Sequence, residues 1–374
     1  MKLIILQEKL KKGLDIVERI VTKLSTLPIL NNILLTTEKN FLNLTTTDLE
    51  VGIKWWALAK IEKEGKIIIP AHILSNFIGL LPQKPILLEE RKNNLLISCE
   101  KFQTEIKGFS PEEFPIIPKI NEENPLILPS QLFCQSLAQV ADIPIPSTTR
   151  PEISGVKLTF QKDLISMAAT DSFRLGEKKL FLEKPLTQEF SFILPQKTTK
   201  EIINIFSEKG KEIRFYFSPN QVMFETLMTE TSHPEIQFSS RLIEGEYPNY
   251  QEIIPKKYET QIHLEKDKFF NQIKIASLFS GKTNEVKIKV DPKKNEVEIL
   301  SQNPEIGQYQ SSLSATVKGE EVEISFNYRF LIDGLSNIKS SEVIFELNGQ
   351  DGPGILKPVG DQNYIYVMMP IKAS

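Results

Sequence analysis

The chain has 374 residues, of which 40% are apolar and 25% charged, as in ordinary globular proteins. Its formal net charge of −3 excludes a protein that holds nucleic acid by overall positive charge. Only two cysteines are present, Cys99 and Cys134, and no apolar stretch is long enough to span a bilayer, so we expect a cytoplasmic protein. The length predicts two or three domains.

The first predicted elements are a short strand at residues 3–6 and an amphipathic helix. The helix is indicated by apolar residues three and four positions apart, at Leu10, Leu14, Val17, Val21 and Leu24. Pro28 is expected to end it, since proline cannot continue a helix. Alternating strands follow, and a second helix is predicted to begin at Pro70, a favourable first helical residue.

The same order of elements then returns twice. Predicted strands begin near Ile4, Ile127 and Ile262, which are 123 and 135 residues apart. The second helix of each copy begins near Pro70, Pro195 and Asn327, which are 125 and 132 residues apart. In the third copy, the first helix is predicted to run through Phe269, Phe270, Ile273 and Leu278. A period this long indicates whole domains, so we predict three similar α+β domains at 1–122, 123–255 and 256–374. Each would have two helices packed on antiparallel sheet.

One short motif occurs twice, as Thr47-Asp48 and, 123 residues later, as Thr170-Asp171. The two aspartates could act as general acid and base in an enzyme of nucleotide or phosphate chemistry. Alternatively, each carboxylate accepts backbone N–H groups in a turn that ends a strand. We favour the turn, because no base, nucleophile or glycine-rich loop accompanies either aspartate.

Other signatures of catalysis are weak. Gly281-Lys282-Thr283 resembles the end of a phosphate-binding loop, but Ala276 stands where its first glycine belongs and a strand-like pattern follows. The three histidines lie singly, without the spacing of metal ligands, at His72, His233 and His263. We therefore expect no catalytic residue, no metal and no cofactor.

Five motifs span the chain in order: Thr26-Leu27-Pro28-Ile29-Leu30, Thr47-Asp48-Leu49-Glu50, Ala169-Thr170-Asp171-Ser172-Phe173-Arg174-Leu175, Glu244-Gly245-Glu246-Tyr247-Pro248-Asn249-Tyr250 and Val367-Met368-Met369-Pro370-Ile371. Together they resemble the bacterial DNA polymerase III beta subunit family, the sliding clamps. The resemblance implies a head-to-tail homodimer whose six similar domains form a ring, the DNA clamp fold. It implies a non-catalytic processivity factor that encircles double-stranded DNA regardless of sequence. It also implies that the replicative polymerase, the clamp loader and other proteins bind through short linear motifs.

In that family a short linear motif docks between the middle and last domains. The resemblance places the wall of this site at mostly apolar positions: Ile153, Thr170, Leu175, Pro248, Ile253, Val367 and Met369. It places a neighbouring groove at Ser172, Phe173, Arg174, Phe330, Pro370, Ile371 and Lys372. Four positions depart from the glycine, histidine, basic residue and tyrosine usual there, namely Ser172, Phe173, Glu252 and Phe330. The bulky Phe173 and acidic Glu252 are expected to shift which peptides fit.

The resemblance also implies DNA contacts and a subunit interface. The DNA-contacting positions of the family, often basic or aromatic there, fall on Leu24, His72, Ser147, Pro151 and Glu152, with Lys23 and Arg150 adjacent. For any single helix cation, an ordinary solvated face is the alternative. The interface would set Thr104 and Ile106 of a first-domain strand against Leu278 and Phe279, with plain core packing as the alternative.

Two rival functions remain open from the sequence. One is the enzyme that would use Asp48 or Asp171, and the other is a repeated scaffold that binds proteins alone. Retention on circular but not on linear DNA would separate a clamp from both.

Overall fold

The computed structural model describes residues 1–21, 27–118, 120, 124–186, 188–208 and 211–372. The chain divides into two compact units, Met1–Leu132 with Glu201–Leu242, and Phe133–Lys200 with Ile243–Ser374. In the described residues, no helix is long and apolar enough to cross a membrane. The predicted DNA contacts Lys23 and Leu24 and the predicted boundary at 122/123 lie outside the described residues.

The described residues contain six α-helices and 26 strands. The helices are α1 (Gln7–Val17), α2 (Ala71–Leu80), α3 (Ser130–Ala138), α4 (Gln196–Phe206), α5 (Lys266–Ser277) and α6 (Tyr328–Ser336). The first thirteen strands are β1 (Lys2–Leu6), β2 (Asn32–Glu38), β3 (Phe41–Thr47), β4 (Val51–Leu58), β5 (Lys60–Lys63), β6 (Gly65–Pro70), β7 (Pro85–Arg91), β8 (Asn94–Cys99), β9 (Phe102–Lys107), β10 (Leu126–Pro129), β11 (Gly155–Phe160), β12 (Leu164–Thr170) and β13 (Arg174–Phe181). The others are β14 (Phe190–Pro195), β15 (Glu212–Ser218), β16 (Gln221–Leu227), β17 (Pro234–Arg241), β18 (Thr260–Glu265), β19 (Glu285–Asp291), β20 (Glu296–Asn303), β21 (Gly307–Ser314), β22 (Thr316–Gly319), β23 (Val322–Asn327), β24 (Glu342–Leu347), β25 (Gly354–Pro358) and β26 (Tyr364–Met368).

The first unit holds two antiparallel sheets. One has the strand order β5-β1-β7-β8-β9, and the other has the order β10-β15-β16-β17-β4-β3-β2-β6. Within the larger sheet β4 pairs with β17, so that Ile53 lies opposite Phe238 and Gly52 opposite Ser239. Because β4 precedes residue 122 and β17 follows it, one sheet continues across the first predicted domain boundary.

The second unit repeats this arrangement. Its larger sheet has the order β14-β11-β12-β13-β26-β25-β24-β18-β22, and its smaller sheet the order β21-β20-β19-β23. Here β13 pairs with β26, so that Arg174 lies opposite Met368 and Leu175 opposite Val367. A sheet therefore continues across the second predicted boundary as well. In both units this pairing covers strand edges that isolated domains would expose to aggregation.

The helix α1 packs through one apolar face, as its periodicity predicts. Leu10, Leu14 and Val17 are all buried. Gly13 lies on the same face, and the ring of Trp55 on β4 occupies the space that a side chain there would need. A Cβ atom at Gly13 would come within 2.4 Å of that ring. The glycine thus allows close contact between helix and sheet.

Two predicted helix boundaries, the end of α1 and the start of α2, are wrong. The helix α1 ends at Val17 and continues as a 3-10 turn only to Ile20, so that Val21 is extended. Pro28 begins a separate 3-10 turn and does not end α1. Pro70 is the N-cap of α2 rather than its first residue. Apolar periodicity could not locate these ends, because buried residues continue beyond the helical segments.

The third copy contains one confirmed and one wrong prediction. Asn327 caps α6 as predicted, since its Oδ1 accepts a hydrogen bond from the Arg329 backbone N–H at 3.0 Å. Leu278, predicted to lie in α5, is instead the C-cap and is 68% exposed. Its side chain therefore belongs to the surface and not to the core of its own domain.

Glu235 should contribute to the stability of the first unit in a pH-dependent way. Its carboxylate accepts hydrogen bonds from Lys12 Nζ at 2.8 Å and Lys211 Nζ at 2.7 Å. Burial raises the pKa of Glu235, but the hydrogen bonds from Lys12 and Lys211 outweigh it and hold the pKa below the ordinary value of 4.5. Glu235→Gln should lower the free energy of unfolding by about 1–3 kcal/mol at neutral pH, measured by chemical denaturation.

Because the folded-state pKa is depressed, this contribution is complete above pH 4.5 and is lost as the pH falls through the lower folded value. The gap between Glu235→Gln and the unmodified chain should close over that range. The control is Glu230→Gln, whose carboxylate is 3.9 Å from Lys9 and more than half exposed, so a much smaller change is expected. A gap that persists in acid would contradict the assignment.

Candidate functional site

Both Thr-Asp motifs form the same turn. Asp48 Oδ1 accepts backbone N–H bonds from Glu50 at 3.1 Å and Val51 at 2.7 Å. Asp171 Oδ1 likewise accepts from the backbone of Phe173 and Arg174, each at 3.0 Å. The prediction that each aspartate holds a turn is confirmed, and these bonds leave the acid–base interpretation without support.

The threonines and the backbone repeat as closely. The hydroxyl of Thr47 donates to the Val51 carbonyl at 2.8 Å, and that of Thr170 to the Arg174 carbonyl at 2.7 Å. The residue after each aspartate has a positive φ, 77° at Leu49 and 78° at Ser172. The two turns are therefore equivalent backbone frames that carry different side chains.

Arg174 is the main addition in the second turn. Its guanidinium is buried, donates from Nε to Asp171 Oδ2 at 2.9 Å, and pairs through Nη1 with the carboxylate of Asp333 on α6. Nη1 also donates to the Tyr366 hydroxyl at 3.3 Å, and Nη2 to the carbonyl of Asp142 at 3.4 Å. Sequence reasoning missed these three partners, since each lies far from Arg174 along the chain.

The surroundings of Arg174 keep it in place. Burial raises the pKa of Tyr366, so its phenol stays neutral and accepts the hydrogen bond from Arg174. Gly334 of α6 lies against the Tyr366 ring, where a Cβ atom would come within 2.6 Å. The guanidinium also lies over the Phe330 ring, 4.9 Å from its centroid. The arginine thus connects the turn to α6 and β26.

An apolar surface lies around this turn. Phe173 is 62% exposed, Ile253 52% and Met369 38%, while Pro248 and Ile371 are half-buried. We call these five residues the Phe173 patch. The backbone N–H of Met369 donates to the Phe173 carbonyl at 2.8 Å, so these two residues lie side by side on neighbouring chain segments.

The other predicted wall residues lie beneath this surface. Leu175 and Val367 are buried in one cluster with Tyr247 and Tyr250, against which Ile254 also packs. Ile153 and Thr170 are buried too, whereas Phe330 and Pro370 are half-buried and Ser172, Glu252 and Lys372 are exposed. The structure therefore separates the predicted set into an exposed patch and a buried support.

The two tyrosines fix the loop that carries Pro248 and Ile253. The Tyr247 hydroxyl accepts the backbone N–H of Thr170 at 3.0 Å. The Tyr250 hydroxyl donates to the buried Glu177 carboxylate at 2.8 Å. Burial raises the pKa of Tyr250 to about 12, so it remains protonated and able to donate. The motif Tyr247-Pro248-Asn249-Tyr250 marked both tyrosines in the sequence, but only the structure gives their hydrogen-bond partners, Thr170 and Glu177.

Several residues predicted to face DNA lie beside the same turn. Arg150 donates from Nη1 to the Ser172 hydroxyl at 3.0 Å and from Nε to Glu152 at 3.1 Å. The Ser147 hydroxyl accepts the Arg150 backbone N–H at 3.1 Å, and Pro151 is exposed. His72 lies elsewhere, exposed on α2, with Nδ1 3.3 Å from a Glu18 carboxylate oxygen. DNA contact at all of these positions stays a prediction.

Three cations of α1 and of the 3-10 turn that follows it form ion pairs. Lys9 lies 3.9 Å from Glu230, Lys12 2.8 Å from Glu235 and Arg19 3.3 Å from Glu201. All three glutamates belong to the segment 201–242 of the same unit. These ion pairs connect α1 with that segment and reduce the positive potential of the helix.

Two of the predicted interface residues lie on an edge strand, and the other two lie at the end of α5. Thr104 and Ile106 are on β9, the last strand of the five-stranded sheet, with Thr104 partly exposed and Ile106 buried. Phe279 stacks on Tyr309 of β21, an edge strand of the four-stranded sheet, at a centroid distance of 5.9 Å. The exposure of Leu278 rules out the core-packing alternative for that residue. The interface itself stays a prediction.

The described residues contain no group of three or more histidine, cysteine, aspartate or glutamate side chains that could hold a metal ion. The expectation of no metal centre rested on scattered histidines, and it stays an expectation.

Comparison with known proteins identifies the family. Models of the DNA polymerase III beta subunit match its N-terminal domain at residues 1–118, its central domain at 128–249 and its C-terminal domain at 251–372. The chain is 28% identical to the beta sliding clamp of Synechococcus elongatus over 380 aligned residues, covering 100% of this chain and 99% of the relative. It is 29% identical to that of Staphylococcus aureus over 358 residues, covering 93% of each.

Solved structures agree. The DNA polymerase sliding clamp of Bacillus subtilis superimposes with a TM-score of 0.94 at 25% identity, over 100% of both chains. The beta subunit of Pseudomonas aeruginosa superimposes at 0.93 and 22% identity over 100% of both, which shows the shared fold. With all three domains matched in order, the chain belongs to the bacterial DNA polymerase III beta subunit family, the DNA sliding clamps.

Proposed function

We propose that this chain closes as a head-to-tail homodimer around duplex DNA and tethers the replicative polymerase through the Phe173 patch. Sliding clamps are processivity factors without catalytic activity, so the family relationship confirms the prediction that the chain is not an enzyme. The observation that carries the proposal is the ordered match to all three clamp domains. We propose that it acts in the cytoplasm, with the chromosome that it helps to replicate.

The proposed domains are 1–122, 123–255 and 256–374. The matched ranges 1–118, 128–249 and 251–372 support three domains of this size, although the last begins five residues before our boundary. The pairing of β4 with β17 and of β13 with β26 supports domains that join sheet edge to sheet edge. In a ring, β9 and β21 would be joined in the same way between subunits.

A closed ring explains how a protein of net charge −3 stays on DNA. A topological link needs few phosphate contacts, because the ring must open before DNA can leave. The clamp loader supplies that opening. The rival scaffold function, which binds proteins alone, predicts no dependence on DNA ends.

The experiment that tests the ring is retention on DNA. Protein placed on a nicked circular plasmid by its clamp loader should stay bound through gel filtration, and a single restriction cut should release it. Release at the same rate from circular and linear DNA would contradict encirclement. Gel filtration of the circular and the linear DNA in parallel is the control, because protein held only by electrostatic binding would be retained equally on both.

The Phe173 patch suits a short peptide with two apolar anchors. Its exposed side chains include a methionine, which adapts to different partners, and they rest on a fixed, buried support. Two anchors contribute about 1.5–3 kcal/mol each on burial, so polar and backbone contacts must supply the rest of the roughly 8 kcal/mol of a micromolar complex. That strength allows partners to exchange on one clamp.

Met369→Ala should weaken binding of a fluorescent peptide that carries leucine and phenylalanine anchors by about tenfold, because one wall of the patch is lost. Fluorescence anisotropy measures this directly. Phe181→Ala is the matched control, since Phe181 is 55% exposed on the same strand as Leu175 but outside the patch. Unchanged affinity of Met369→Ala, with an unaltered melting temperature, would place the peptide site elsewhere.

A further inference from the structure

A cavity lies beside the first Thr-Asp turn, in the first unit. It encloses about 210 Å³ and is bounded mainly by Leu49, Glu50, Ile116, Ile117, Gln221 and Arg241. We call it the Ile116 cavity. The proposed function assigns it no role.

The backbone around this cavity repeats the frame of the Phe173 patch. The N–H of Arg241 donates to the Glu50 carbonyl at 2.9 Å, as the N–H of Met369 donates to the Phe173 carbonyl at 2.8 Å. Arg241 therefore stands in the place of Met369, and Glu50 in that of Phe173. The Ile116 cavity and the Phe173 patch are two copies of one site.

The chain segments that close the two copies are also equivalent. An isolated bridge joins Ile68 to Phe109 in the first unit, and another joins Ile193 to Ile243 in the second. Phe114-Pro115 begins five residues after Phe109, and Tyr247-Pro248 begins four residues after Ile243. The segment carrying Ile116 thus corresponds to the loop carrying Pro248.

Two supporting side chains of the first copy are smaller. Gly52 lies opposite Ser239, at the positions that Leu175 and Val367 take in the second copy. The end of the Ile117 side chain lies 3.0 Å from where a Cβ of Gly52 would be. At the mouth, Ile116 is 93% exposed and Leu49 47% exposed. Exposed apolar side chains around a concave site are typical of a surface that a partner covers.

We propose that the Ile116 cavity is a second docking site for short, extended peptides of partner proteins. It would take one apolar anchor beside Leu49 and Ile116, since its volume is below the roughly 300–1,000 Å³ of pockets for whole small molecules. An acidic peptide residue would lie beside Arg241. Arg241 Nη1 is 3.7 Å from Glu50 and both side chains are more than half exposed, so this loose pair can exchange for a peptide carboxylate.

The inference rests on the proposed function in one respect, that the second copy of the site takes peptides. With Gly52 and Ser239 in place of two apolar residues, binding to the Ile116 cavity should be about tenfold or more weaker than binding to the Phe173 patch.

Methyl NMR of the full-length protein, labelled at isoleucine δ1, tests both sites at once. Ile116 and Ile117 report the cavity, and Ile253 and Ile371 report the patch. The probe is a peptide that carries one leucine, one aspartate and one phenylalanine. Shifts of Ile253 and Ile371 at low peptide concentration, followed by shifts of Ile116 and Ile117, are expected. Unmoved Ile116 and Ile117 at about 100-fold the concentration that saturates the patch would overturn the inference and leave the proposed function standing.

Two variants complete the test. Ile116→Asp should abolish the Ile117 shift and leave the affinity of the patch unchanged. Leu80→Asp, at a residue that is 85% exposed in the same unit, should alter neither. An Ile117 shift that survives Ile116→Asp would overturn the inference. A peptide that moves Ile116 and Ile117 but not Ile253 and Ile371 would instead overturn the proposed patch.

Discussion

Arg174→Ala should lower the free energy of unfolding of the second unit by about 3–5 kcal/mol, because removing one member of a buried ion pair leaves the other uncompensated. The Asp171 side chain is only 2% exposed, and Arg174 is its ion-pair partner. The turn would also lose its link to α6. Chemical denaturation should show the loss, and peptide affinity should fall with it because the turn carries Phe173.

Two further variants separate the arginine's geometry from its charge. Arg174→Lys keeps the charge but cannot reach acceptors on several sides as a planar guanidinium does, so an intermediate loss is expected. Arg150→Ala removes a half-exposed arginine next to the same turn and should cost less than about 1 kcal/mol. Equal stability of Arg174→Ala and Arg150→Ala would show that the buried network contributes little.

Leu278→Asp should convert the dimer to monomers and abolish retention on circular DNA. A head-to-tail ring has two identical interfaces, so each lost apolar contact counts twice. Two contacts of about 1.5–3 kcal/mol correspond to roughly a 10²–10⁴-fold rise in the dissociation constant. Sedimentation velocity over a concentration series measures the change.

The exposed position of Leu278 makes this a clean experiment, because aspartate there does not disturb a core. Phe181→Asp, at a similarly exposed apolar residue of the same unit, is the control and should remain dimeric. A Leu278→Asp protein that still sediments as a dimer would move the interface away from this helix end.

Sequence patterns predicted the parts of the fold that depend on neighbours along the chain. The cap at Asn327 and the two aspartate turns are formed by residues within a few positions of one another, so local chemistry was enough. The threefold repeat needed only spacing. The end of α1 was wrong because Val21 keeps the helical spacing after Val17 although its backbone is extended, and an apolar residue looks the same in a helix and after it.

The environment of Arg174 could not be read from the sequence. Its partners Asp142, Asp333 and Tyr366 come from three distant segments, and of these the pairing of β13 with β26 brings Tyr366 beside Arg174. The family resemblance placed Leu175 in the wall of the predicted peptide site and Arg174 in the neighbouring groove. The structure shows both as buried support for exposed neighbours.

The ion pairs of Lys9, Lys12 and Arg19, on α1 and the turn after it, affect how the protein responds to salt. Binding of a cation to DNA is driven largely by the counterions that it releases from the phosphates. Lys9, Lys12 and Arg19 already have carboxylate partners, so each must give one up before it can displace an ion from DNA. These three cations therefore add little counterion release, and we expect the lifetime of the protein on circular DNA to depend on how often the ring opens more than on ionic strength.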